Sequence, residues 1–145
     1  MLRFTLLLVF LLPLTLLAQD KKPDAKTEAA ALKGKWKLVS SKFNGKDLDV
    51  GKDGQKGLVF SEKDFITFDG QRSGRTITFT LNPTTDPKEI NLALVGTDQK
   101  SQGLYTLDGD TLTLCYGEPG AARPAKMESK EGDKTFLLVL KRVKE

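Results

Sequence analysis

From residue 35 onward, apolar and polar side chains alternate in short runs, the period-two signature of strands that turn one face to a core. Eight such runs can be marked, at residues 35–43, 57–61, 64–68, 75–81, 89–95, 103–107, 111–116 and 135–143. In RTITFTL, Ile77, Phe79 and Leu81 oppose Thr76, Thr78 and Thr80, and in EINLALV, Ile90, Leu92 and Leu94 oppose Glu89, Asn91 and Ala93. Every break between runs carries Gly, Pro, Asn, Asp or Ser, which supply the positive φ, the fixed φ or the local side-chain bonds that turns use. The sharpest pair of runs is LYTLDGDTLTLCY, residues 104–116. A tight turn within Asp108, Gly109 and Asp110 puts Tyr105, Leu107, Leu112, Leu114 and Tyr116 on one face, and Thr106, Thr111, Thr113 and Cys115 on the other.

The runs follow one another without a helical segment long enough for a parallel crossover, so their order predicts an antiparallel meander. Closing eight strands on themselves removes both sheet edges at once. The expected fold is therefore all-β, an eight-stranded antiparallel up-and-down barrel; a two-sheet sandwich would bury the same alternating face. Ahead of the first strand, TEAAALKG at residues 27–34 joins good helix formers to a glycine and predicts one or two helical turns. QDKKPDAKTE, residues 19–28, is polar and carries Pro23, the composition of a flexible leader.

The opening MLRFTLLLVFLLPLTLLAQD has the layout of a secretory signal: Arg3, an apolar stretch from Phe4 to Leu17, then the small Ala18. Pro13 interrupts the stretch, which falls short of the roughly 20 residues a bilayer-crossing helix needs. The expected division is residues 1–18 as signal peptide, 19–28 as leader and 29–145 as the barrel domain. The protein is then exported, to the periplasm or beyond the bacterial cell envelope, with no membrane span after cleavage. Leu16 is bulkier than cleavage sites favour, which leaves a retained anchor as the alternative. With no cysteine directly following the apolar stretch, a lipid-modified cysteine anchor is ruled out.

Composition then removes whole classes of chemistry. The chain has no histidine and one cysteine, so Ser-His-Asp and Cys-His catalysis, histidine-containing zinc sites and thiolate clusters are all out of reach. One thiol forms no intrachain disulfide, and stability must come from packing. Cys115, inside an alternating strand, suits a buried and inert thiol. The net charge of +4 is modest and its lysines are interleaved with acids, unlike a nucleic-acid-binding surface. No cofactor is expected, and no enzymatic activity.

Gly34 and Trp36 stand two apart on the first strand, and Arg142 closes FLLVLKRVKE on the last. This arrangement resembles the lipocalin superfamily. The resemblance implies that Trp36 plugs the closed end of a barrel with Arg142 packed over its indole, a cation–π contact worth on the order of 1 kcal/mol. More specifically, GKWKLVSSKFNGKDL, GLYTLDGDTLTLCYGEPGAARPAKM and TFLLVLKR resemble the planctomycete-type family of uncharacterised, secreted, lipocalin-like domains, over residues 30–143. Tyr105, Asp108, Gly109, Asp110, Cys115, Arg123 and Pro124 match that family's motif positions. It has no established activity, so the resemblance implies a fold and transfers no catalytic residue.

Among candidate sites, Asp108 and Asp110 suit turn formation; DGDT offers too few oxygens for a calcium loop, and glycosidase carboxylates face each other across a bond. Arg72 and Arg75 in DGQRSGR are either solvated loop charges or receivers of an anion. Arg123 can bridge loop carbonyls, pair with Glu118, or meet an anionic head group at a barrel mouth. With one end of the barrel open, Leu38, Phe60, Phe68, Phe79, Leu92, Tyr105, Leu114 and Phe136 line a pocket for a small hydrophobic or amphipathic ligand, with Tyr105, Tyr116 or Arg123 orienting it. With both ends filled, the protein is instead a packed envelope module that binds a partner through its outer face or loops.

Overall fold

The computed structural model describes residues 23–144; the expected signal peptide, leader residues 19–22 and Glu145 lie outside them. One helix, α1 (Ala25–Leu32), precedes β1 (Gly34–Phe43), β2 (Lys46–Asp47), β3 (Lys56–Phe60), β4 (Asp64–Asp69), β5 (Arg72–Asn82), β6 (Lys88–Leu94), β7 (Lys100–Asp108), β8 (Thr111–Gly117) and β9 (Thr135–Arg142). From β3 onward each strand pairs antiparallel with the next in the chain, β3 also pairs with β1, and β9 returns to β1 to close the ring. The two-residue β2 pairs only with the end of β1 and stays outside that ring. The closed ring is thus the eight-stranded up-and-down barrel that the alternation predicts. β5 begins at Arg72 and β7 at Lys100, earlier than expected, because polar side chains there hide the period.

The β7–β8 hairpin pairs Asp108 with Thr111, leaving Gly109 and Asp110 as the two turn residues. Only Gly109 has positive φ, 57°, the pattern of a tight turn that asks for glycine at its first central position. Tyr105 stands opposite Leu114, and Leu107 opposite Leu112, on the inner face.

Helix α1 starts inside the stretch expected to be leader. The Asp24 carboxylate accepts from the Thr27 backbone N–H at 2.7 Å, taking up one of the donors that a helix start leaves unpaired. At its other end, the indole N–H of Trp36 donates to the Leu32 carbonyl at 2.8 Å. Arg142 donates to the carbonyls of Ala31 at 2.7 Å and Lys33 at 2.9 Å, with its guanidinium 4.2 Å from the centre of the Trp36 ring. The final carbonyls of a helix are both unpaired and the negative end of its dipole, so a cation there is doubly favourable. Asp110 completes the arrangement: its carboxylate lies 3.3 Å from Arg142 and 3.0 Å from Lys144. Lys144 first, then Arg142, holds the Asp110 carboxyl below its ordinary value.

Leu32, Trp36, Leu112 and Leu140 are wholly buried at this end. Beside them Phe60, Phe65 and Phe79 form an aromatic cluster, with ring centres 4.9, 5.5 and 6.4 Å apart. A bulge between Leu38 and Ser40 shifts the parity of β1, so Ser41 is buried and Phe43 stacks on Phe136.

Arg142→Met keeps an apolar stem over Trp36 but strips two helix carbonyls of their donor. The expected loss is about 2 kcal/mol, read as a lower urea midpoint; an unchanged midpoint would mean water caps the helix equally well. Asp110→Asn bears on pH. Because the folded carboxyl titrates below its ordinary value, the unfolded chain takes up the proton first as pH falls. Its contribution is therefore present above the ordinary carboxyl range and disappears in acid, and the variant should show a shallower acid-side decline in stability than the parent.

Candidate functional site

The barrel's two ends differ. Opposite the helix, a cavity of about 410 Å³ opens between the end of β4, the start of β5, the β6–β7 turn and the end of β8. Leu58, Phe65, Leu92 and Leu114 make its floor, and Ile77, Leu138, Tyr116 and Phe136 its walls. Arg75, Gln99, Ser101 and Pro119 stand at the rim. The volume falls within the range of small-molecule sites, and the lining is chiefly apolar with a few polar groups, as such sites require.

Local sequence explains the wall. Tyr116 and Phe136 are register partners on β8 and β9, and their rings stack at 5.1 Å with 22° between planes. Phe43, brought inward by the β1 bulge, adds a third ring 4.3 Å from Phe136. The Tyr116 hydroxyl has no hydrogen-bond partner among the described residues, and burial pushes its pKa up to about 12.

Four residues expected to line a pocket do so: Leu92, Leu114, Tyr116 and Phe136. Leu38 packs against the core beside the bulge, and Phe60 and Phe79 belong to the aromatic cluster that fills the closed half. Phe68 lies on the outer face, its ring across Gly57 and 4.8 Å from the Lys35 ammonium. Phe65 and Phe68 are three apart, so a regular strand cannot turn both inward, and Phe65 is the buried one. Leu58, Phe65 and Leu138 also line the cavity and were not among the expected residues; their signal is register, Phe65 opposite Phe60 and Leu138 opposite Leu114.

Tyr105 is fully buried but points the wrong way to orient a ligand in the cavity. Its hydroxyl donates to Glu28 of α1 at 2.9 Å, and Lys88 meets the other oxygen of that carboxylate at 2.8 Å. This polar cluster straps the helix to β6 and β7 at the closed end. Burial, followed by the Glu28 hydrogen bond and charge, drives the Tyr105 phenol far above its ordinary value.

Arg123 is likewise outside the cavity. It donates to the carbonyls of Gly103 at 2.6 Å and Ile90 at 3.1 Å and to the Asn91 side chain at 2.6 Å, with Glu89 rather than Glu118 as its nearest carboxylate, at 3.7 Å. Arg123 thereby ties the loop of residues 118–134 to the outer edges of β6 and β7, and further along the loop covers Cys115 of β8. Beneath that loop Leu104 and Cys115, register partners at outward positions, are buried. The Cys115 thiol lies 3.5 Å from the carbonyls of Lys126 and Glu128, and burial pushes its pKa up. Leu104 beside Tyr105 breaks the alternation, and that is the sequence signal that the outer face is covered here. Asp108 and Asp110 serve the turn and the Arg142 contact, and no cluster of three or more potential metal ligands occurs among the described residues.

The chain has two tyrosines, Tyr105 and Tyr116, and both are raised. The folded protein should show no tyrosinate absorbance at 295 nm near pH 10, whereas the unfolded chain titrates there. Above pH 10 the unfolded state then holds fewer protons than the native state, so stability falls as pH climbs toward 12. A native tyrosine titrating near 10 would mean that water hydrates Tyr116 freely in the cavity.

No family model matches the chain, and neither does a curated protein or a solved structure.

Proposed function

We propose that this chain is an exported, non-enzymatic, lipocalin-like carrier that takes a small hydrophobic or amphipathic molecule into the open end of its barrel. The single observation behind this is the asymmetry of the interior: aromatic rings and the capped helix fill one half, while the other half holds an apolar cavity of about 410 Å³. A barrel used only as a rigid interaction module gains nothing from such a void, because an unfilled cavity forfeits packing contacts. Burying ligand contributes roughly 25 cal/mol per Å² of apolar surface, offset by the cost of association. Export rests on the pattern Arg3, Phe4 to Leu17 and Ala18; among the described residues no helix is long and apolar enough to cross a membrane. The shared hairpin and the Arg123-Pro124 loop support membership of the planctomycete-type lipocalin-like family.

Native mass spectrometry of the protein purified gently from exporting cells is the test, with solvent extraction of the same sample. A reproducible added mass that disappears on extraction is expected. Ile77→Trp places an indole into the cavity and should remove that mass while leaving the fold intact by circular dichroism. A clean apo mass, together with no uptake from a panel of alkyl ligands, would replace the carrier with the packed envelope module. Trp36 sits at the far end of the barrel, so its fluorescence is a poor reporter of this cavity.

A further inference from the structure

Cations at inward positions of the barrel generally find their partners within the chain. Arg142 has Asp110, two helix carbonyls and the Trp36 ring; Lys88 has Glu28; and Lys56 reaches the Asp49 carbonyl at 3.4 Å. Arg75 differs. It shares the inward parity of Ile77 and Phe79 on β5, and its backbone N–H is fixed by Thr67 Oγ1 at 3.0 Å. Its guanidinium has no ion pair and no hydrogen bond with any described residue. Arg75 is exposed at the mouth, so its charge stays hydrated in the free protein, but among the described residues it is the one charged side chain in the cavity lining and its donors are free to meet an anion that enters.

The lining around Arg75 restricts what can complete it. No Asp or Glu faces the cavity, and its other polar side chains, Thr67, Gln99, Ser101 and Tyr116, are neutral. One planar guanidinium beside neutral donors matches one negative charge spread over two oxygens, which its fork can grip with two parallel bonds. A doubly charged phosphate would find only half its charge answered. We propose that the cavity selects amphipaths bearing a singly charged oxyanion head, a carboxylate above all, held by Arg75 at the rim with the alkyl part against Phe65, Leu92 and Leu114. This specificity rests on the carrier function proposed above and assigns the head-group chemistry of the same site.

Calorimetric titration of the full chain with decanoate, decanol, decyl phosphate and decyltrimethylammonium separates the two. Decanoate should bind about tenfold more tightly than decanol, with decyl phosphate no better than decanoate and the ammonium weakest. Arg75→Gln should remove that tenfold advantage and leave decanol affinity unchanged. Arg72→Gln, on the exposed β4–β5 turn and outside the cavity lining, controls for general surface charge and should keep the advantage. Lowering the pH below about 4.3, where a carboxylic acid takes up its proton, should bring decanoate down to decanol. Equal binding of decanoate and decanol, or an equal loss in both arginine variants, would overturn the head-group assignment while the carrier stands. Failure of all four ligands to bind would overturn the carrier and this assignment with it.

Discussion

The barrel depends on how one helix end is satisfied. Where the helix meets the barrel mouth, the Leu32 carbonyl is buried, and an unpaired acceptor there is costly, while the Ala31 and Lys33 carbonyls lie on the solvent side. Trp36 and Arg142, from the first and last strands of the ring, supply the donors, and Arg142 also stacks on Trp36. Since β1 and β9 are the strands whose pairing closes the barrel, the same contacts fasten the plug and the seam. Asp110, from the β7–β8 turn, holds the guanidinium from the other side. A second tie, Glu28 to Tyr105 and Lys88, fixes the helix to strands further round the ring.

That fixed end makes the other one available. With α1, Trp36 and the three phenylalanines occupying the closed half, the core is complete without filling the remaining volume. The open half can then be lined by side chains whose positions are set by strand register, a rigid frame for a cavity. The long loop of residues 118–134 contributes Pro119 to the rim, but most of it lies on the outer wall, pinned by Arg123 and covering Cys115. Residues that share a motif thus divide between two tasks, sealing one end of the barrel and clothing its outside, while the cavity at the other end is built largely from ordinary strand positions.

Much of the fold was legible from alternation alone. Period-two runs separated by Gly, Pro and Asp give strands, and the tight turn at Gly109 gives both the register of its hairpin and the faces of Tyr105 and Leu114. Errors arose where one residue's direction depends on more than its own run. Phe68 faces outward because Phe65 took the inward position; the bulge in β1 turned Phe43 inward against Phe136; and Asp24 drew the helix back into the leader.

By itself, the sequence determined what local chemistry determines: the strands of the ring and their order, turn positions and the lack of any imidazole, while the packing of Arg142 on Trp36 was implied only by the lipocalin resemblance. Tertiary structure decided which end is full and which is empty. Tyr105 and Tyr116 belong to the same inner face of one hairpin, yet one is strapped to Glu28 at the closed end and the other stands in the cavity wall. Arg75 and Arg123 read alike as loop cations, yet one faces the cavity and the other binds strand carbonyls outside it. Alternation records the face a residue occupies, but its height along the barrel axis comes from the stagger of eight strands closed on one another, a property of the whole ring.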